Sequence, residues 1–395
     1  MLNRFFSPSN NFLLCWIIFF CAIFVRFIYF IIIGVKYGSD STHYTSAADL
    51  LLRSHFNFSA LIEQGYAFFY WLYPLFLTPF QHNFVLVISA QIILQSIASV
   101  LIFQIASRLF NTPTGCIAGL GYAFLWEAFQ WDVYVLTDSL FVFLLILTAF
   151  LALRALDKKN KFYWGLFLAS FGATLFLRPT LFPFLASIAL FLSWHFPRKY
   201  KLAFGIFGLS ILGWCAYNIF WQVPGPQFGL APYFHYFASL FEKGIIVHDR
   251  HSLIMDVRWT PGLSIENVFT FSKLFAARLA AFWLPIVPEF SFGHKIISLL
   301  TFIPLLSLSF FGILQALRNI TDPLKQRFLF FMFSTILFFW IFQALTEVDY
   351  DWRYRLPVLP FLVIFASYGC TLVFEKLTNF LHNFFPLYGS SYLKK

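Results

Sequence analysis

Stretches of about twenty consecutive apolar residues recur along this chain, and that length leaves few folds open. Twenty residues of α-helix rise about 30 Å, the thickness of a hydrocarbon layer, and a helix satisfies its own backbone N–H and C=O groups where no water can. On that measure the sequence predicts ten spans, near 11–35, 82–107, 113–131, 138–154, 162–177, 180–196, 202–222, 294–317, 326–346 and 357–376. Charged residues make up 11% of the chain and hydrophobic ones 60%, where a soluble domain carries about 25% charge. The expected fold class is therefore all-α: a polytopic membrane protein forming a single domain over residues 1–395, with no internal repeat.

The connections between spans set an orientation. With the N-terminus inside, the inner segments hold fifteen basic residues, among them Arg108, Arg154, Lys158 and Arg198, against three acids, Asp157, Asp322 and Glu375. Positive charge is retained on the cytoplasmic side, so every inner turn agrees with ten spans and both termini inside. The net charge of +10 is then a membrane anchor facing lipid headgroups, and no nucleic-acid partner is expected. The apolar run after Asn11 is too long for a signal peptide and lacks a small-residue cleavage site, so the first helix is expected to stay. The five cysteines all fall within spans and read as small apolar fillers.

Two outer loops are long, 36–81 and 223–293, and polar chemistry can gather there. In the first, "KYGSDSTHYTSAADLLLR", Gly38 permits a tight exit from the span and sets Asp40 at the membrane surface. Ser41 or Thr42 can cap a helix with Ala47, Ala48, Leu50, Leu51 and Leu52 on one side, expected to lie in the interface. In the second, 264–284 reads as another interfacial helix with Lys273 and Arg278 on its polar side, and His248 to His251 as an exposed turn.

Four shorter features carry charge at or near the outer face. Asp138 in "LTDSLF" sits at the mouth of the fourth span, where a carboxylate both caps a helix and suits its dipole. Glu127 and Asp132 share the preceding connection and read as solvated. Arg178, in "FLRPTLFPF", marks the apex of a hairpin between the fifth and sixth spans. Arg26 lies inside the first span, where an arginine must face the bundle or a wet cavity, for function or for structural pairing.

The last feature is "VDYDWRYRLPVLPF", residues 348–361, at the head of the tenth span. Leu356 precedes proline and avoids helical backbone, so 351–356 are expected to be extended. Arg353 and Arg355 would then point the same way, with Tyr354 opposite, and two guanidinium groups side by side make a phosphate clamp. The alternative is contact with lipid headgroups or with Glu347, Asp349 and Asp351.

Taken in order, "GSDSTHY" with "AADLLL", "LTDSLF", "LRPTLFPF" and "RYRLPVLPFLVIFASYG" resemble the GT-C superfamily of integral-membrane glycosyltransferases. The likeness is to the bacterial branch similar to protein O-mannosyltransferases and the lipid A aminoarabinose transferase. It covers most of the membrane part of the chain and leaves 223–293 unmatched. The resemblance implies transfer of a hexose or pentose from a polyprenyl-phosphate sugar to a glycan, lipid or protein acceptor. It places the protein in a bacterial inner membrane with its site on the outer face, although the charge plan alone suits an endoplasmic reticulum membrane equally. It makes Asp40 the general base or acceptor organiser and Asp138 the second acid. Arg353 and Arg355 become the lipid-phosphate ligands, with Arg178 a weaker third. No second acid stands beside Asp40 as in some relatives, so a divalent metal is neither required nor excluded.

The implied chemistry is a single inverting displacement. A carboxylate of ordinary pKa near 4 suffices as base when the hydroxyl proton leaves late and the anomeric carbon is already cation-like. Arginines at the departing phosphate stabilise charge that develops in the transition state. A transporter would instead show inverted repeats and polar groups at the midplane. An O-antigen ligase or polymerase would concentrate its key residues in one late loop, and an inactive structural relative would keep the fold without the Asp40 chemistry.

Overall fold

The computed structural model describes residues 11–38, 40–66, 70–158, 160–178, 182–193, 265–286, 291–346 and 352–384. The described residues form helices α1 (Asn11–Ile33), α2 (Ser41–Arg53), α3 (Phe58–Glu63), α4 (Leu72–Leu77), α5 (Phe84–Leu109), α6 (Thr112–Phe124) and α7 (Trp126–Phe129). They continue with α8 (Asp138–Lys158), α9 (Lys161–Thr174), α10 (Phe182–Ser193), α11 (Ile265–Ala281), α12 (Phe292–Asn319), α13 (Pro323–Thr346) and α14 (Leu359–Phe384). No strand occurs among the described residues; a lone parallel bridge joins Lys36 to Tyr134. The all-α polytopic class read from the sequence is the class observed.

Among the described residues six helices, α1, α5, α8, α12, α13 and α14, are long and apolar enough to cross a bilayer. Two expected spans are shorter: α6 and α9 have 13 and 14 residues, which at 1.5 Å per residue rise about 20 Å. The expected span 113–131 breaks at Leu125, whose backbone is extended. That run looks continuous because Trp126, Phe129 and Trp131 are apolar, yet the chain turns there to bury Glu127 and Asp132. The expected span 202–222 and loop residues 223–264 lie outside the described residues, as do His248 to His251.

At the centre, α5 packs against α1, α6 and α8. Its 18-residue apolar window is 56% buried, against 17% for α1. A helix that is apolar all round can sit in a core or face lipid; α1 lies at the edge, with Phe12, Trp16 and Phe20 exposed along one stripe. On the other side α12 crosses α14 closely. An added Cβ at Gly312 would run into the Phe365 carbonyl, and one at Gly369 into that of Leu308. Only glycine lets two backbones approach this far.

The first loop folds as the sequence suggests, with two adjustments. Asp40, rather than Ser41 or Thr42, occupies the N-cap position of α2, and its side chain makes no capping bond. Ser41 Oγ instead accepts from Gly38 N and donates to the Val135 carbonyl, both at 2.8 Å. The left-handed residue at the exit of α1 is Gly34, φ 71°, whereas Gly38 matters for space, since a Cβ there would stand 3.1 Å from Leu136 Cδ1. Ala47, Ala48 and Leu51 are buried and Leu50 and Leu52 half-buried, giving α2 its amphipathic face. Helix α11 departs from expectation: Arg278 is 8% exposed rather than solvent-facing, and Trp340 Nε1 donates to the Leu279 carbonyl at 2.8 Å, so α11 is docked on α13.

Candidate active site

The connection between α6 and α8 is the keystone of one end of the bundle. Asp132 is buried there, and its Oδ2 accepts from Arg26 Nε at 2.8 Å while its Oδ1 accepts from Ser139 Oγ at 2.9 Å. Arg26 also donates to the Ala123 carbonyl at 3.1 Å. The deep arginine of the first span thus faces the bundle in a structural pair, and Asp132 is its partner rather than a solvated acid. Burial pushes the Asp132 carboxyl above the usual range, against the pull of Arg26 and Ser139. Gln91 of α5 donates to the carbonyls of Asp132 and Tyr134, at 3.0 and 2.9 Å, and accepts from Tyr73 OH at 2.8 Å. With this connection held, Val135 N donates to Lys36 O at 3.0 Å and Lys36 N to Val133 O at 2.9 Å. The first loop is thereby fastened beside the head of α8.

Two carboxylates and two arginines converge on that frame. Asp138 opens α8 and is buried, and its Oδ1 accepts from Arg178 Nη1. Arg178 is brought there by the turn that ends α9, which is tied to the first loop by Leu72 N donating to Phe176 O at 2.9 Å. Asp40, with its side chain half exposed (49%), lies 3.5 Å from Arg353 Nη1. Between the arginines stands Tyr354, its ring centroid 5.4 Å from Arg353 Cζ and 6.0 Å from Arg178 Cζ. Burial works against charge on Arg178, but Asp138, together with Tyr44 and Tyr354, more than offsets it and holds the guanidinium above its usual range. Tyr44 of α2 is buried against Tyr73 at 5.2 Å. Its hydroxyl is raised, chiefly by burial and partly by Tyr70, Asp40 and Asp138, with Arg178 opposing.

Arg353 and Arg355 do not point the same way. Trp352–Arg355 is a 3-10 helix rather than an extended segment. Proline restricts only the residue before it, and the preceding turn closes through Leu356 N to Arg353 O at 3.1 Å and Val358 N to Arg355 O at 3.0 Å. At about 120° per residue, side chains two apart diverge. Arg355 is buried instead, donating from Nη1 to the carbonyls of Leu284 and Phe282 at 2.8 and 3.3 Å, with Cζ 3.9 Å above the Phe302 ring. The partner that Arg353 meets across a tyrosine is Arg178. Glu347, Asp349 and Asp351 lie outside the described residues.

Glu127, read from the sequence as solvated, is 2% exposed. Its Oε1 accepts from Thr301 Oγ1 at 2.5 Å and its Oε2 has no hydrogen-bond partner among the described residues. Burial raises this carboxyl, with Thr301 and Arg355 opposing. Sequence reasoning also passed over Tyr44 and Gln91, and it set Tyr354 apart from the arginines it stands between. Tyr44 belongs to the 44, 47, 48, 51 helical stripe, and Gln91 with Gln95 is an i, i+4 polar pair in an otherwise apolar span, so both left a signal. Among the described residues no three His, Cys, Asp or Glu side chains cluster as metal ligands would.

Residues 67–221 match the family model described as dolichyl-phosphate-mannose-protein mannosyltransferase. That segment runs from the first loop through Asp138 and Arg178, so it contains half of the charged cluster. With its all-α, multi-pass fold and this match, the protein is similar to membrane glycosyltransferases. Among such enzymes the likeness is to those of the GT-C type. No curated protein matches the chain.

Proposed function

We propose that the protein transfers a sugar from a polyprenyl-phosphate carrier to an acceptor hydroxyl at the outer membrane face, with inversion at the anomeric carbon. The observation that carries this reading is the pairing of Asp40 with Arg353 beside Asp138 and Arg178, on the surface that the charge pattern turns outward. Asp40 is exposed enough to meet an acceptor, and its contact with Arg353 is long. Partly exposed ion pairs contribute about 0–1 kcal/mol, so a donor phosphate can displace Asp40 from Arg353 at little cost. The same step leaves the Asp40 carboxylate free to accept the acceptor proton. Arg353, and Arg178 across Tyr354, then face the phosphate as its glycosyl bond breaks and charge accumulates on oxygen. Asp138 keeps Arg178 charged and aimed. The carrier lipid would lie between helices, which accounts for a site at the bilayer surface.

The family description names dolichyl-phosphate mannose and a protein; for this chain both the sugar and the acceptor class are matters for assay. Purified protein is incubated with radiolabelled polyprenyl-phosphate sugars and membrane extracts, and product is compared between wild type and Asp40→Asn. The amide keeps the side chain's shape and removes the base, so transfer is expected to fall at least a hundredfold with expression and donor binding kept. Undiminished transfer in Asp40→Asn would exclude Asp40 as the base. If no sugar phosphate supports transfer by wild type, the glycosyl donor itself is wrong.

A further inference from the structure

The opposite end of the bundle holds a second, unrelated place for an anion. The first turn of α1 and the last turns of α5 and α8 enclose a cavity of about 380 Å³, within the size range of small-molecule sites. It lies sixteen residues along α8 from Asp138, about 24 Å, at the end where the sequence gathers its basic residues. Three charged side chains line it. Arg108 and Asp157 close on each other bidentately, at 2.6 and 2.8 Å, and cancel. Arg154 is left with Gln104 Oε1 at 3.3 Å from Nη2 and the Phe150 ring at 5.1 Å from Cζ, both uncharged. The cavity therefore carries one positive charge that no carboxylate among the described residues balances. Ser107 also lines the cavity, with its hydroxyl turned onto the backbone of Gly115 in α6.

One wall of this cavity reaches the exposed face of α1. Phe12 lines the cavity and is itself 73% exposed. It begins the stripe Phe12, Trp16, Phe20 that runs one helical turn at a time along the outside of α1, with Trp16 stacked on Phe20 at 5.6 Å. A cationic, hydrogen-bonding chamber that continues into an apolar track is complementary to an amphiphile with an anionic head. We propose that this cavity binds the phosphate-bearing headgroup of an anionic membrane lipid, with the phosphate on Arg154 and an acyl chain along the Phe12–Trp16–Phe20 stripe. The site is independent of the glycosyl-transfer reading.

The full-length protein, delipidated in detergent, is titrated by native mass spectrometry with short-chain phosphatidylglycerol, phosphatidylcholine of equal chain length, and inorganic phosphate. Phosphatidylglycerol is expected to bind wild type at least tenfold more tightly than either of the others. Arg154→Gln, which keeps a hydrogen bond to Gln104 within reach, is expected to lose about tenfold in affinity, the scale of one charge-assisted hydrogen bond. Arg154→Lys should stay within about threefold of wild type, and Arg318→Gln, a basic residue at the same end, should change nothing. Equal binding by Arg154→Gln, or equal loss in Arg318→Gln, overturns the site. Inorganic phosphate binding as tightly as the lipid overturns the acyl track and makes the cavity a free-anion site.

Discussion

Arg353 Nη1 stands 3.5 Å from Asp40 Oδ2, across 313 residues of sequence. The contact joins the head of α14 to the exit of α1, so charge as well as packing closes this end of the bundle. It is the looser of two such closures. Asp138 and Arg178 make the other, with side chains 3% and 12% exposed against 49% and 15% for Asp40 and Arg353. One pair is built to hold, and the other is accessible enough to exchange partners.

The buried pair predicts an asymmetry between single and double substitution. Asp138→Asn leaves Arg178 charged and without its carboxylate, and breaking a buried pair from one side costs about 3–5 kcal/mol. Replacing both residues, Asp138→Asn with Arg178→Met, removes the stranded charge and should restore most of that stability. Thermal unfolding in detergent, followed by tryptophan fluorescence, measures both. A double variant no more stable than Asp138→Asn would mean that the pair does not couple the two segments.

Arg26 and Asp132 lead to a prediction in pH. A carboxyl raised by burial destabilises the fold when ionised, so its contribution is fully present below the unfolded value, about 4. It is lost as pH rises through the raised folded value. Arg26 opposes that raise, and Arg26→Met therefore moves the folded value higher still. The variant should lose stability progressively as pH climbs from about 5 to 8, more steeply than wild type, while Arg26→Met with Asp132→Asn should be nearly flat. Unfolding midpoints across that range decide it; parallel curves for the single variant and wild type would exclude the mechanism.

Much of this arrangement was legible in the residues. Asp40, Asp138, Arg178 and Arg353 were each marked by a charge beside an apolar run, because charges at membrane depth are costly and must have partners. What could not be read was the pairing. Residue spacing along an apolar stretch does not reveal where the chain turns inward, so 113–131 looked like a span and Asp132 looked solvated. The proline after Leu356 suggested extended backbone, and a 3-10 turn reversed the directions of Arg353 and Arg355. Residues whose role is to support others, such as Gln91, carried a weaker mark than the charges they support.

The crossing of α12 and α14 yields a prediction that tests the fold alone. Gly312 and Gly369 face backbone carbonyls that cannot swing aside as a side chain would. Gly312→Ala should force the helices apart and cost about 1–3 kcal/mol, the usual penalty of overpacking. Gly172→Ala in α9 meets nothing within 4 Å and should be neutral or slightly stabilising through helix propensity. Comparing the yield of folded protein after detergent extraction separates the two. A harmless Gly312→Ala would show that the two helices cross at a wider separation.

The two arginines of the 3-10 turn should fail in different ways. Arg353→Ala removes a guanidinium that faces Asp40 and Tyr354 at the head of α14. Its loss should lower transfer at least a hundredfold, about 2.7 kcal/mol, with unfolding unchanged within about 1 kcal/mol. Arg355→Ala removes donors from the Leu284 and Phe282 carbonyls and a cation from the face of Phe302. Two charged hydrogen bonds of about 1.5–3 kcal/mol each are then lost inside the protein, so this variant should unfold early. Any Arg355→Ala that does fold should keep a donor KM within about threefold of wild type, because its side chain is turned from the Asp40 cluster. A selective rise in donor KM for folded Arg355→Ala, with Arg353→Ala active, would transfer the phosphate contact to Arg355.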